Sequence, residues 1–401
     1  MRAHAILSPS ASKRWMSCPP SARLEEKLHD RFGEQSSPFA VEGTKAHAVA
    51  ELKLLREKGR LGDADGINQF NYDARLKALG DVSKEMHQAT DLYVDIVMEK
   101  LFAARRACPD AKLFVEQRLD MARWVPGCFG TSDAVVVSDE ILDVCDYKNG
   151  SGVRVNAQEN PQARCYGLGA IDAFGDLYGF QTVRNTIIQP MLDHVTEEQL
   201  SRTELLTWAD TELAPKAQLA WRGDGDFCPG EHCRFCAARA ICYARATQAM
   251  KLFQNGMDAP AVLPDSEIPQ MLAMADDAIT WLGELKAYAL RQALKGQRWP
   301  GYKLVHGKRP RRAWRSEESA REQLIRAGYK PEQFEEHKLK SAAAVEKLIG
   351  KTAFDVLLKD QTVQGEGALI LAPDTDGRPE YSTADIDFSD MGSSNNSNNI
   401  E

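Results

Sequence analysis

Nowhere in these 401 residues does an apolar run approach the ~18 residues that a membrane span requires. The opening MRAHAILSPSASKRW has only the short patch Ala5–Leu7 and lacks the apolar core of a secretory signal. Both lacks point to a soluble, cytoplasmic protein with no membrane partner. An excess of positive charge is also missing. Fifty Lys and Arg face 58 Asp and Glu, for a formal net charge of −8. That excludes a general nucleic-acid coat, because phosphate binding rests on Lys and Arg. It leaves room for a local basic groove, and KRPRRAWR (Lys308–Arg315) is either that or a solvated basic turn. No internal repeat is present. Nine cysteines, an odd number without a secretion signal, argue against a disulfide framework.

Hydrophobic residues make up 43% of the chain, enough for one large domain and a smaller one. The patterning suggests a first domain over 1–250, a helical or mixed region over 251–380, and a low-complexity disordered tail over 381–401, ending MGSSNNSNNIE. Ser8–Arg31 reads as a loop and then a helix, with Ser10 or Ser12 able to cap a first turn. Gly43–Gly59 has helical spacing, with Ala46, Val49, Ala50 and Leu54 on one face. Residues 60–80 read as a polar loop and 83–106 as a helix. Lys112–Leu119, Gly130–Val137 and Ile141–Lys148 are short, β-branched runs separated by turn residues, which predicts an antiparallel meander. A helix is expected over Asn160–Phe174, with Pro161 in its first turn, then a fourth strand over Thr182–Gln189. Residues 196–220 and 266–296 read as helical. The order implies an α/β core with a mixed sheet.

The run ILDVCDYKNG ends with Asp146 and Lys148 two residues apart. Side chains in a strand alternate, so these two share a face with Leu142 and Val144, where the core gives way to a cleft. A lone D-x-K is most often a surface ion pair. Asp133, on the preceding strand, can lie beside Asp146, and two adjacent carboxylates repel unless a cation lies between them. Hard oxygen ligands suit Mg²⁺ or Mn²⁺, and Lys148 could stabilise charge developing on a phosphate. Gln162 and Tyr166, one turn apart on the next helix, can face the same cleft. Glu51 and Glu116 rank below these residues. Glu51 lies one turn after His47, and Glu116 either enters the cleft or pairs with Arg118.

Four of the nine cysteines cluster in FCPGEHCRFCAARAIC (Phe227–Cys242). Cys233, Cys236 and Cys242 follow C-x₂-C-x₅-C, a metal-ligating arrangement that suits zinc or an iron–sulfur cluster; spacing does not choose between them. Cys228, five residues before Cys233, is the nearby candidate for a fourth ligand.

In order and spacing the chain resembles the PD-(D/E)XK nuclease superfamily, in particular its RecB-like branch. The residues that carry the resemblance are Gly43-Thr-Lys-Ala-His47, Gly130-Thr-Ser-Asp133, Asp146-Tyr-Lys148 and Gln162-Ala-Arg-Cys-Tyr166. The combined pattern also resembles a phage and prophage family of that superfamily. The resemblance implies a restriction-endonuclease-like core, a mixed central sheet flanked by helices, with helical additions. It implies that His47, Asp133, Asp146 and the Tyr147 carbonyl hold Mg²⁺ or Mn²⁺, that Lys148 is catalytic, and that Gln162 and Tyr166 organise the site. Some RecB-like nucleases carry a [4Fe–4S] cluster with one cysteine before the core and three after it. On that pattern Cys18, Cys233, Cys236 and Cys242 would staple the ends of the domain, with zinc as the alternative. The function implied is a DNA nuclease, an exonuclease or end-processing enzyme of phage replication or recombination. Its expected partners are DNA and phage single-strand-binding or recombination proteins. The competing expectation is a nuclease fold that binds DNA or a recombinase without cutting.

Overall fold

In a computed structural model the residues described are 5–32, 38–254, 268–310, 312–335, 339–363, 365, 367–373 and 377–381. The chain divides into two units, Met1–Ala275 and Asp276–Glu401. The first is built on five strands: β1 (Lys112–Asp120), β2 (Phe129–Val137), β3 (Ile141–Tyr147), β4 (Thr182–Gln189) and β5 (His194–Ser201), in the order β1-β2-β3-β4-β5. The meander β1-β2-β3 is antiparallel, β4 is parallel to β3, and β5 returns antiparallel to β4. The sheet is therefore mixed, as the pattern predicts.

Alternation along β2 and β3 builds two cores. Val135, Val137, Leu142 and Val144 face one layer. Ala134, Val136, Cys145 and Tyr147 face the other. A one-residue slip would exchange both sets, so burial fixes the register.

Helices cover both faces. The N-terminal segment forms α1 (Ser12–Ser17) and α2 (Ser21–Phe32). Neither Ser10 nor Ser12 caps α1, whose N-cap position is Ala11. α3 (Pro38–Arg60) and α5 (Lys84–Ala107) supply Ala46, Val49, Leu54, Tyr93 and Val97 to the second core. Between them, residues expected to form a loop contain α4 (Gln69–Ala78). Asn68 caps it through Asn71 N–H, and Tyr72 is buried beneath the Arg56 guanidinium, 4.5 Å from the ring centroid. The crossover from β3 to β4 is α6 (Pro161–Phe174), packed on the first core.

The stretch expected to be helical from 196 begins instead as β5. Its Glu-rich sequence favours a helix locally, but pairing along the whole of β4 overrides that preference. The helical path starts only at Ser201, where a capping box with Glu204 opens α7 (Arg202–Trp208). A π-type turn at Ala209–Leu213 leads into α8 (Ala214–Arg222). Pro215 lacks the N–H that would continue the ladder, which accounts for the bulge. α9 (Tyr243–Gln254) follows the cysteines, and α10 (Ile268–Leu294) runs across the division between the units.

The second unit holds two small antiparallel pairs. β6 (Tyr302–His306) pairs with β9 (Leu369–Pro373), and β7 (Ala313–Trp314) with β8 (Thr362–Val363). The helices α11 (Glu317–Arg326), α12 (Pro331–Phe334), α13 (Ala342–Ile349) and α14 (Lys351–Leu358) enclose a core of Leu324, Phe334, Val345, Phe354 and Leu358. The basic run 308–315 is partly consumed by this packing. Arg312 pairs with Glu346 at 3.2 Å and Asp355 at 3.7 Å, and Trp314 Nε1 donates to Lys340 O at 2.9 Å. Arg311 and the low-complexity end lie outside the described residues. Arg312→Ala is therefore expected to lower the stability of this unit, by about 0.5–1 kcal/mol in denaturant unfolding. An unchanged unfolding midpoint with weakened DNA binding would return Arg312 to the role of a free cation.

Candidate active site

The β2–β3 ladder runs from Val137↔Leu142 to Ala134↔Cys145. One residue further along each strand stand Asp133 and Asp146. There Tyr147 N–H donates not to a strand carbonyl but to Asp133 Oδ2, at 2.7 Å. β3 meanwhile stays paired with β4 through Tyr147↔Ile188, and Lys148 N–H donates to Ile188 O at 2.9 Å. The carboxylates thus lie where β2–β3 pairing gives way to a side-chain bond.

Three side chains close a ring at this point. Lys148 Nζ is 2.8 Å from Asp146 Oδ2 and donates to Gln162 Oε1 at 3.2 Å. Gln162 Nε2 donates to Asp146 Oδ1 at 3.1 Å. Gln162 is fixed in the first turn of α6 because Asn160 caps that helix, accepting from the N–H groups of Gln162 and Ala163. Tyr166 is buried one turn on. A Cβ at position 130 would stand 2.9 Å from Tyr166 Cε1 and 3.0 Å from Pro9 Cγ, so only glycine admits the tyrosine ring there. The glycine of G-x-x-D and the tyrosine of Q-x-x-x-Y thus meet in space. Gly43 meets nothing within 4 Å, and its place in the motif has no packing reason.

His47 reaches Asp133 from α3, with Nδ1 2.9 Å from Oδ1. Its ring stands edge-on to Tyr147, with centroids 5.3 Å apart. Glu116 completes a cluster. One ligand-type atom from each of His47, Glu116 and Asp133 lies within 4.8 Å of the other two. Glu116 is the residue that sequence ranking undervalued. Its φ is +49°, in the left-handed region, although it stands within β1. Glutamate has no preference for that conformation, so the strain is held by the strand pairing on either side, Val115↔Ala134 and Gln117↔Ser132.

The electrostatics are those of a crowded acidic site. Burial raises the Asp146 carboxyl, Lys148 pulls it down and Asp133 adds to the rise. Burial works against the Lys148 ammonium, but the Asp146 carboxylate outweighs it and the pKa goes up. His47 also rises, since the Asp133 hydrogen bond and charge overcome desolvation. Burial pushes the Tyr166 phenol up, reinforced by Asp146. Glu116 is pushed up to about 7 by burial, then by Asp133 and Glu51.

A carboxyl raised in the folded state contributes stability that is present at low pH and is lost as pH climbs from about 4.5 to about 7. In metal-free protein, Glu116→Gln should therefore unfold later than wild type above neutrality, by about 1–2 kcal/mol after allowance for solvent screening. At pH ~4.5 it should show no such gain. Saturating Mn²⁺ should reverse the order, because only wild type offers the carboxylate. Thermal unfolding at the two pH values, with and without Mn²⁺, checks this; parallel curves throughout would remove Glu116 from the site.

A second cluster lies where the N-terminal helices meet the segment after α8. Cys18, at the end of α1, lines one cavity together with Cys228, Cys233, Cys236, Cys242 and Arg14. Cys18 and Cys236 are buried and Cys228 is exposed. Burial raises the Cys18 thiol, opposed by a backbone hydrogen bond from Cys228. The meeting has support beyond sulfur. Glu25 pairs with Arg14 and accepts the Ala237 N–H at 2.5 Å, and Arg23 Nε donates to Trp221 O at 2.5 Å. The two candidates for a fourth thiol, Cys18 and Cys228, are thus both at the cavity, distinguished by burial.

His47, Glu116, Asp133, Asp146, Lys148, Gln162 and Tyr166 fall into the first cluster and Cys18, Cys228, Cys233, Cys236 and Cys242 into the second, while the Tyr147 ring points into the second core and its hydroxyl donates to Asn149 Oδ1 at 2.9 Å. Fold and site together define a mixed α/β protein with a His–carboxylate cluster at the open end of a five-stranded sheet. The chain belongs to the family described as "Protein of unknown function (DUF2800)", whose model matches residues 4–379. The solved structure described as "Crystal structure of SSO0001" is similar at 13% identity, over 55% of this chain and 94% of that chain, with a TM-score of 0.22. A likeness that slight carries no argument. Among the described residues no helix is long and apolar enough to cross a membrane.

Proposed function

We propose that the protein is a metal-dependent DNA nuclease on a PD-(D/E)XK-type core, which trims or processes DNA ends in phage-type replication or recombination. The observation that carries this reading is the juxtaposition of the His47–Glu116–Asp133 cluster with the Asp146–Lys148–Gln162 ring. The donor set, an imidazole and hard carboxylates, fits Mg²⁺ or Mn²⁺, and burial with neighbouring negative charge raises Glu116 and Asp146 while no ion is bound. His47, Asp133, Asp146 and the Tyr147 carbonyl, joined by Glu116, would hold the ion. When bound, such an ion supplies positive charge at a reacting phosphate and acidifies water.

The chain's own groups do the rest. Lys148 keeps its proton at Nζ, because Asp146 stabilises the ammonium, and offers a fixed positive charge to a developing phosphate anion. Gln162 holds both Lys148 and Asp146, so neither has to reorient as charge develops. Asp133 is held in place by Tyr147 N–H and by His47.

The cavity brings the thiols of Cys18, Cys233, Cys236 and Cys242 to one place, and the resemblance favours a [4Fe–4S] cluster there, with zinc as the alternative. Cys18, Cys233, Cys236 and Cys242 would hold the cluster, which would contribute attachment of the chain's start to the end of the core.

The reading is tested with anaerobically purified protein and end-labelled linear and circular DNA, with and without Mn²⁺. Metal-dependent shortening of linear DNA that Asp146→Ala abolishes is expected. Cutting of circles would make the enzyme an endonuclease. No cutting of any DNA by wild type would leave a binding protein on a nuclease fold.

A further inference from the structure

Between Lys148 and α6 runs the segment NGSGVRVNAQEN (Asn149–Asn160), and both of its ends are fastened. Asn149 Oδ1 accepts from the Tyr147 hydroxyl at 2.9 Å. Beyond Val155 the backbone is tied to β5, Ala157 N–H donating to Thr196 Oγ1 at 2.9 Å and Glu159 N–H to Glu198 Oε1 at 2.6 Å. The tip between them, Gly150–Arg154, is exposed throughout. One buried side chain holds it. Gln189 ends β4 and is 1% exposed. Its Oε1 accepts the Val155 N–H at 2.7 Å, and its Nε2 donates to Val153 O at 3.0 Å and, at 3.5 Å, to Gly150 O. The peptide groups on both sides of Arg154 are thereby fixed by a single amide. Burying an amide is costly unless its bonds are made, and here both of its ends are bonded to one exposed loop.

The fold itself has no use for the residue so fixed. Arg154 is exposed and, among the described residues, its guanidinium pairs with no carboxylate. In a chain where acids outnumber Lys and Arg, that leaves an uncompensated positive charge. The nearby glycines are not required by the fold either. Neither Gly150 nor Gly152 takes a positive φ, and a Cβ at either would meet nothing within 4 Å. Among the described residues no carbonyl accepts the N–H of Gly150, Ser151 or Gly152. Backbone this bare lets an oxyanion approach closely. The tip also stands at the right end of the sheet. Gln189 follows Ile188, whose carbonyl accepts the Lys148 N–H at 2.9 Å. The loop and the Asp146–Lys148–Gln162 ring are therefore held from the same end of β3 and β4.

The geometry points to a phosphate subsite at Gly150–Arg154, in which Arg154 takes a phosphodiester flanking the one at Lys148 and Gln189 is its positioning residue. An unpaired guanidinium beside bare N–H groups selects an oxyanion, and its planar fork matches two phosphate oxygens. The anion closest to a reacting phosphate is the next phosphate along the same strand. Because Gln189 fixes the backbone on both sides of Arg154 beforehand, less ordering remains when the strand arrives. The inference rests on the nuclease reading and deepens it, since it places part of the affinity for the strand outside the cutting centre.

The test is fluorescence anisotropy of the full chain with a labelled blunt duplex, in EDTA and over a salt series, beside cleavage with Mn²⁺. Arg154→Ala should weaken binding about three- to tenfold and lower the slope of log affinity against log salt by about one. Arg154→Lys should keep the slope, because the charge remains. Gln189→Ala should also weaken binding, yet add nothing on top of Arg154→Ala, because it acts only through that residue. With Mn²⁺, Arg154→Ala should raise KM and leave kcat unchanged, as loss of a contact made equally in ground and transition states does. Arg154 is exposed, so its variants should unfold at the wild-type temperature, which separates the effect from misfolding. Unchanged affinity and slope in Arg154→Ala would overturn the subsite and leave that cation to a partner's carboxylate. Additive losses in the double variant would overturn the role of Gln189. A wild type that binds through Arg154 and does not cut keeps the subsite and loses the nuclease reading. One that cuts, with Arg154→Ala binding as wild type does, loses the subsite alone.

Discussion

Lys148→Ala should cut DNA about 10²–10⁴-fold more slowly than wild type and still bind Mn²⁺ at least as tightly. Lys148 is not placed as a ligand. Its Nζ occupies Asp146 Oδ2 at 2.8 Å and competes with any cation for that carboxylate. Removing the ammonium frees an oxygen for metal and takes away the charge meant for the phosphate. Calorimetric Mn²⁺ titration beside single-turnover cleavage separates the two effects. Asp146→Ala should lose both. Its Oδ1 also holds Gln162, so Gln162→Ala is expected to fall between the two. Wild-type cleavage by the Lys148→Ala protein would sink the assignment.

Cys18→Ser should bleach the brown absorbance of anaerobically purified protein and lower its unfolding temperature by about 10 °C. The second figure follows from closing a loop of roughly two hundred residues, which contributes about 4–5 kcal/mol if the staple acts as a covalent link does. Cys228→Ser should do neither, because that thiol is the exposed one at the cavity. The reverse pattern, or zinc without acid-labile sulfide, would replace the long-range staple with a local knuckle of Cys228, Cys233, Cys236 and Cys242.

The parts of the site legible in the sequence are those where a local pattern changes. Asp146 and Lys148 stand out because they end an apolar strand, and Gln162 because it follows Pro161 at a helix start. The strands β1 to β4 were legible for the same reason, each being bounded by turn residues. β5 was not, since His194–Ser201 is half charged and only its pairing with β4 makes it a strand. The helix α4 was signalled by Asn68, a good cap, but its Gly- and Asp-rich surroundings hid it. Glu116 was legible as a residue that either enters the cleft or pairs with Arg118, and the register decides it, since Val115↔Ala134 and Gln117↔Ser132 set Glu116 opposite Asp133. The meeting of Cys18 with the later cysteines is a tertiary fact that spacing cannot supply, and only the resemblance suggested it.

The contact of Glu25 with Ala237, together with Arg14, also sets a timetable for synthesis. A ribosome adds about 5–20 residues per second, so α1 and α2 emerge about 10–40 s before the segment that receives them. For that interval Trp15, fully buried in the finished protein, has no partner from α8 or the cysteine loop. The first unit can therefore complete its N-terminal packing only after nearly all of it has left the ribosome. A nascent chain halted before residue 242 would carry its earliest helices open to chaperones.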